Sequence, residues 1–87
     1  MQTTFAEVQA QINNLINEHL NINILESKLE NNHFFSKQID LLARELIFFF
    51  FKIEEIFGIK IQEDEILSEE FYSLNGLSKI VTNACNN

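Results

Sequence analysis

The chain has 87 residues, no proline, one cysteine and a formal charge of −7. This length is enough for one modest core, so we predict a single all-α domain over residues 1–87. The scattered bases form no stripe that could neutralise phosphates, and no apolar run reaches the roughly 18 residues of a membrane span, so neither nucleic acid nor membrane is a predicted partner. The lone Cys85 permits neither an intrachain disulfide nor a cysteine metal cluster.

The first segment predicts a helix over residues 5–20. Thr4 and Glu7 have the spacing of a capping box, in which two side chains satisfy free backbone N–H groups at a helix start. Apolar residues recur after it at steps of three and four, namely Phe5, Val8, Ile12, Leu15, Ile16 and Leu20. His19 has no second candidate ligand nearby, so no metal role is predicted for it. The opening MQTTFAEVQ lacks the features of a signal peptide, which favours a cytoplasmic location.

Residues 21–36 form a long connection with conflicting signals. Its asparagines favour turns, but its apolar residues are too many for a free linker. We therefore predict a loop pinned across the bundle, with a turn of helix at residues 25–29. His33, beside Phe34 and Phe35, has no readable nucleophile as a partner and is interpreted as a packed or surface residue.

Residues 38–57 predict the second helix, which Gly58 ends because glycine adopts the left-handed conformation at little cost. A helix cannot place the four phenylalanines 48–51 on one face. One apolar stripe is predicted to face the core, namely Leu42, Leu46, Phe49, Phe50, Ile53 and Phe57.

The opposite side of this helix carries two large aromatic residues among charges. Either residues 21–36 fold over it, with Phe34 and Phe35 as a lid, or it is kept for a protein partner or a second copy of the chain. So small a domain has little material to cover a helix on all sides, which favours the second interpretation. The predicted partner-binding residues are Arg44, Ile47, Phe48, Phe51 and Glu55.

The C-terminal third predicts an extended link at residues 59–61, a short turn at 64–69 and a last helix over 74–81, capped by Ser73. The polar residues 82–87 are expected to fray. Five acids lie between residues 63 and 70, without the spacing or glycine of an EF-hand loop, so a solvated acidic turn is favoured over a calcium site. No cofactor site and no catalytic pairing of side chains is evident, and we predict no enzymatic activity.

These elements predict a bundle of three main helices plus one short helix. The predicted core consists of Phe5, Val8, Ile12, Leu15, Leu46, Phe49, Phe50, Ile53, Phe57, Ile61, Leu74, Leu77 and Val81.

The order of elements and three segments resemble acyl carrier proteins. Residues 53–61 (IEEIFGIKI) look like the end of the carrier's second helix and the link after it, residues 71–81 (FYSLNGLSKIV) look like its last helix, and residues 31–35 (NNHFF) resemble the end of its first loop. The resemblance covers nearly the whole chain. It implies the carrier fold and a second helix that is the main partner-recognition element.

The chain departs from carriers at the start of the second helix. Carriers present Asp-Ser-Leu there, and the serine hydroxyl takes phosphopantetheine from coenzyme A. The corresponding tripeptide, residues 42–44, has Ala43 in the place of the serine, and alanine has no oxygen to attack the pyrophosphate. Attachment at Ser36 would need a shifted register, and a turn or helix-capping hydroxyl is the simpler interpretation of this residue.

Within the family, the chain resembles the acyl carrier-related proteins of bacterial peptide maturation systems, which make bacteriocin-type peptides. This resemblance predicts a non-catalytic module that docks a maturation enzyme or its peptide through the second helix. Two alternatives stay open: a genuine acyl or peptidyl carrier with an unusual serine, and a small acidic inhibitor or immunity-type protein.

Overall fold

The computed structural model describes residues 3–86, and within them every regular element is helical. In chain order these elements are α1 (Phe5–Leu20), α2 (Ala43–Phe57), α3 (Glu63–Ile66), a 3-10 helix (Glu69–Tyr72) and α4 (Leu74–Cys85). The predicted all-α bundle of three main helices and one short helix is therefore confirmed. The closest packing joins α4 to α1 and to the 3-10 helix.

Helix α1 has the predicted bounds and the predicted start. The Thr4 hydroxyl oxygen accepts a hydrogen bond from the Glu7 backbone N–H at 3.2 Å. At the other end Asn21 adopts a left-handed φ of 56°, a conformation that asparagine tolerates better than most residues, and the helix stops.

Helix α2 begins five residues later than predicted, so the expected helix over residues 38–42 is wrong. Residues 36–39 form hydrogen-bonded turns, and Asp40 adopts a left-handed φ of 55° that no α-helix can contain. The end of the helix is as predicted, with Gly58 at a φ of 63°.

Helix α4 continues to Cys85, so the predicted fraying of residues 82–86 is wrong, while Asn87 lies outside the described residues. The Asn86 side chain accepts a hydrogen bond from the Thr3 N–H at 3.1 Å and donates one to the Thr3 carbonyl at 2.9 Å. These two bonds hold the last turn of α4 against the start of α1. The short turn predicted near residues 64–69 corresponds to the short α3, which the 3-10 helix follows.

Most of the predicted core is buried. The ten buried members are Val8, Ile12, Leu15, Leu46, Phe49, Ile53, Ile61, Leu74, Leu77 and Val81. The predicted burial of Phe5 is wrong, since this residue is 40% exposed. The side chain of the first residue of a helix points back beyond the helix end, where little can cover it. Phe50 and Phe57 are half-buried against the core rather than inside it. Leu42 lies outside α2 as its N-cap and is exposed.

The connection between α1 and α2 is pinned across the bundle, as predicted. It buries four apolar side chains, Ile24, Phe34, Ile39 and Leu41. The Phe34 N–H donates to the Tyr72 carbonyl at 2.7 Å, which joins the connection to the 3-10 helix. Where a turn of helix is predicted at residues 25–29, residues 24–28 form turns, and the Ser27 N–H donates to the Asn23 carbonyl at 3.1 Å as in one helical turn.

Candidate protein-binding site

The inner side of α2 fixes which of its residues face outward. Phe49 is only 2% exposed, and Leu46 and Ile53 are buried with it. Since successive residues turn by about 100° around a helix, Phe48 and Phe51 must point away from the core that Phe49 faces. Phe51 is 61% exposed and Phe48 is 41% exposed. The outer side of α2 is therefore open to solvent at both rings.

We define the outer face as Arg44, Phe48, Phe51 and Glu55. All four side chains are exposed. Phe48 packs against the His19 ring, with centroids 5.0 Å apart, and Phe51 packs edge-on against Phe50 at 5.3 Å. These contacts orient the two rings but leave much of each ring uncovered, so the outer face is an ordered apolar surface.

The two charges of the outer face are free of ionic partners within residues 3–86. The ion pair that the described residues do form joins Lys79 to Glu70, at 3.9 Å and on another part of the surface. Arg44 and Glu55 therefore remain available to a charged group of another molecule.

The region from 21 to 36 does not cover the outer face, so the lid interpretation is wrong. Phe34 is completely buried, and Phe35 is exposed. Phe35 packs against His33 and Tyr72, with centroid distances of 5.2 and 5.9 Å. Phe34 thus belongs to the core, and Phe35 belongs to an aromatic cluster beside the 3-10 helix.

A groove runs beside the outer face, between α2 on one side and α3 and the 3-10 helix on the other. We call it the apolar groove; its volume is about 430 Å³. Its lining is Phe35, Ala43, Leu46, Ile47, Phe50, Phe51, Ile66, Phe71 and Tyr72. Ile47, 58% exposed, and Phe51 join the groove to the outer face. The two features therefore form one continuous apolar surface around α2.

Sequence reasoning missed the groove, although it singled out Ile47 and Phe51. The opposite wall is built by Ile66 and Tyr72, whose apolar character gave no periodic signal in such short helices. Tyr72 is held by the His33 ring, which stacks on it at 5.1 Å and an angle of 9°. In turn His33 Nδ1 accepts a hydrogen bond from the Phe35 N–H at 3.0 Å. The wall is thus fixed by contacts between residues far apart in the sequence.

Other candidate groups are not brought together for chemistry. Within the described residues, no group of three acidic, histidine or cysteine side chains could hold a metal ion. His19 Nδ1 donates to the Leu15 carbonyl at 3.0 Å, and the ring lies among phenylalanines. Burial raises the pKa of the Cys85 thiol, which lowers the thiolate fraction and with it the reactivity of this side chain.

Ala43 and Ser36, the two positions compared with the carrier serine, differ in their exposure to solvent. Ala43 is the first residue of α2, exposed at the edge of the apolar groove. Ser36 lies in the turn before Asp40, and its hydroxyl oxygen is buried without a hydrogen-bond partner. Ala43 is thus exposed but has no hydroxyl, whereas the hydroxyl oxygen of Ser36 is buried away from solvent.

In comparisons with known proteins, no family model, no curated protein and no solved structure matches the chain. Among the described helices, none combines the length and apolar character needed to cross a membrane.

Proposed function

We propose that the chain is a non-catalytic, acyl carrier-related binding module that docks a protein partner of bacterial, bacteriocin-type peptide maturation through α2. The observation that carries the proposal is the continuous apolar surface formed by the outer face and the apolar groove. Its aromatic side chains are ordered by contacts within the chain and still open to solvent.

The chemistry of this surface suits a protein partner. Contiguous exposed apolar patches on small proteins mark interaction sites more often than isolated apolar residues do. Aromatic residues and arginine are the types most enriched at the energetic centres of interfaces, and the outer face combines Phe48 and Phe51 with Arg44. A partner that covers these rings gains the free energy of removing them from water.

The genuine-carrier alternative has less support. Phosphopantetheine attachment requires a hydroxyl that a transferase can reach. Ala43 has none, and the Ser36 hydroxyl oxygen is enclosed, so modification there would require the turn at residues 36–39 to open.

Mass spectrometry tests the loss of carrier chemistry. The purified chain, incubated with coenzyme A and a broad phosphopantetheinyl transferase, should keep its unmodified mass. A carrier protein with the Asp-Ser-Leu motif, treated alongside, should gain one phosphopantetheine. A stable adduct on Ser36 or any other serine of this chain would establish the carrier alternative instead.

Co-purification tests the docking. Each protein encoded beside this chain would be tagged and co-expressed with it, either unchanged or as the double variant Phe48→Ser with Phe51→Ser. A maturation enzyme or its peptide should retain the unchanged chain and lose the double variant. The matched control, Gln11→Ser with Asn14→Ser, changes two exposed residues with the same spacing on α1 and should still bind.

Two results would contradict this assignment. Equal retention of the double variant would exclude the outer face as the docking surface. Retention by a toxin or a protease, rather than by a maturation protein, would favour the immunity or inhibitor alternative.

A further inference from the structure

We propose that the outer face of α2 also binds the same face of a second copy, forming an antiparallel, two-fold symmetric dimer. The outer face is self-complementary in both its charge and its apolar character. This symmetry follows from the positions of four exposed side chains on one helix.

The spacing along α2 is symmetric about the midpoint between Phe48 and Phe51. Arg44 lies four residues before Phe48, and Glu55 lies four residues after Phe51. Eleven residues separate the two charges, which is about three helical turns and roughly 16 Å along the axis, so both charges point to nearly the same side. The outer face is therefore an apolar centre between opposite charges.

An antiparallel pair reverses the order of one helix relative to the other. Arg44 of each chain then meets Glu55 of the other, and Phe48 meets Phe51. A two-fold axis makes every contact occur twice, so the pair has two opposite-charge contacts around four rings. A parallel pair would instead oppose Arg44 to Arg44 and Glu55 to Glu55, and is disfavoured.

The opposite charges at the two ends of the outer face favour a second copy of the chain as the molecule that binds there. The chain carries a net charge of −7, so two copies repel each other unless a local arrangement opposes their charges favourably. Arg44 and Glu55 provide that arrangement, and neither is engaged in an ion pair within residues 3–86.

One helix pair covers less than the roughly 1,200 Å² of a standard stable interface, so the dimer is weak and reversible. The dimer would also cover the outer face and compete with a protein partner. This competition rests on the proposed function, whereas the dimer itself does not.

Charge exchange tests the arrangement by sedimentation velocity at low salt, over concentrations from about 10 µM to 1 mM. Arg44→Glu and Glu55→Arg should each weaken self-association about tenfold or more, because each creates two like-charge contacts. The double variant Arg44→Glu with Glu55→Arg should associate like the unchanged chain. An equimolar mixture of the two single variants should form a heterodimer, since both of its charge contacts are again opposite.

Two control variants distinguish the contacts between Arg44 and Glu55 from an effect of net charge on association. Glu26→Arg and Lys28→Glu change the net charge by the same amounts at exposed positions outside α2 and should leave association almost unchanged. If net charge alone governed association, Glu55→Arg would strengthen it, because this variant is less negative. Circular dichroism checks that each variant is folded.

Three results would overturn the dimer: an unchanged chain that stays monomeric up to 1 mM, a folded Glu55→Arg variant that associates as well as the unchanged chain, or a mixture that associates no better than its components. Partner binding measured at concentrations where the chain is monomeric would distinguish this failure from that of the proposed function. If partner binding persists, only the dimer is excluded.

Discussion

Helices α1 and α2 are almost equal in length, with 16 and 15 residues, and differ mainly in what they present to solvent. Both bury an apolar stripe, represented by Ile12 in α1 and by Phe49 in α2. The outer side of α1 is polar, whereas the outer side of α2 exposes Ile47, Phe48 and Phe51.

This difference shows that the fold requires a buried apolar stripe on each helix but does not require the exposed rings of α2. A helix on the surface of a small bundle needs one apolar stripe, and α1 shows that a polar outer side is sufficient. The additional rings of α2 contribute little to the core and expose apolar surface to water, where it favours association. The exposed rings of α2 are therefore not required by the fold, which supports the proposed binding function.

The largest effects are expected on the inner sides, where the two helices should behave alike. Phe49→Ala should lower the free energy of unfolding by about 3–5 kcal/mol and Ile12→Ala by about 2–5 kcal/mol, because each leaves a cavity in the core. Losses of this size rival the total stability of a small domain. Urea unfolding monitored by circular dichroism measures both, and a cost below about 1 kcal/mol for either would contradict the assigned core.

Intermediate effects are expected at the helix starts, where the two helices differ. Thr4→Ala removes the capping oxygen of α1 and should cost about 1 kcal/mol. The N-cap of α2 is Leu42, whose side chain cannot accept a hydrogen bond, although its N–H donates to the Glu45 carboxylate at 2.8 Å. Leu42→Ser should complete a capping box and be more stable than Leu42→Ala by about 0.5–2 kcal/mol.

Thermal unfolding of the two cap variants measures these changes, with Leu42→Ala as the control that removes the same apolar side chain without adding an oxygen. Equal stability of the serine and alanine variants would exclude the missing cap as a weakness of α2.

The smallest effects on stability are expected on the outer sides. Phe51→Ser should change the free energy of unfolding by only about 0.5 kcal/mol, as should Asn14→Ser on α1, because both side chains are exposed. Their effects on association should differ, with a loss for Phe51→Ser and none for Asn14→Ser. Urea unfolding and sedimentation velocity on the same samples test both expectations. If Phe51→Ser unfolds the chain, this ring belongs to the core.

The sequence predicts the parts of the molecule that depend on local spacing. Thr4 and the apolar period place α1 correctly. Once Phe49 faces the core, the same period places Phe48 and Phe51 outside, so their exposure follows from local pattern. The apolar period does not predict the start of α2, because the left-handed conformation of Asp40 depends on turns that leave no periodic pattern.

The groove could not be predicted because its far wall is assembled by tertiary contacts. The hydrogen bond from Phe34 to the Tyr72 carbonyl and the stacking of His33 on Tyr72 join segments almost 40 residues apart. Neither contact has a periodic signature. The same limitation applies to Ile39 and Leu41, which are buried by a loop whose course is set by these contacts.

The most direct test of self-association through α2 is a dilution series followed by the backbone amide NMR signals of the unchanged chain. Between about 1 mM and 10 µM, concentration-dependent shifts should concentrate on Arg44, Phe48, Phe51 and Glu55, while Gln11 and Asn14 on the outer side of α1 stay constant. Signals that are independent of concentration throughout, or shifts confined to α1, would contradict self-association through the outer face of α2.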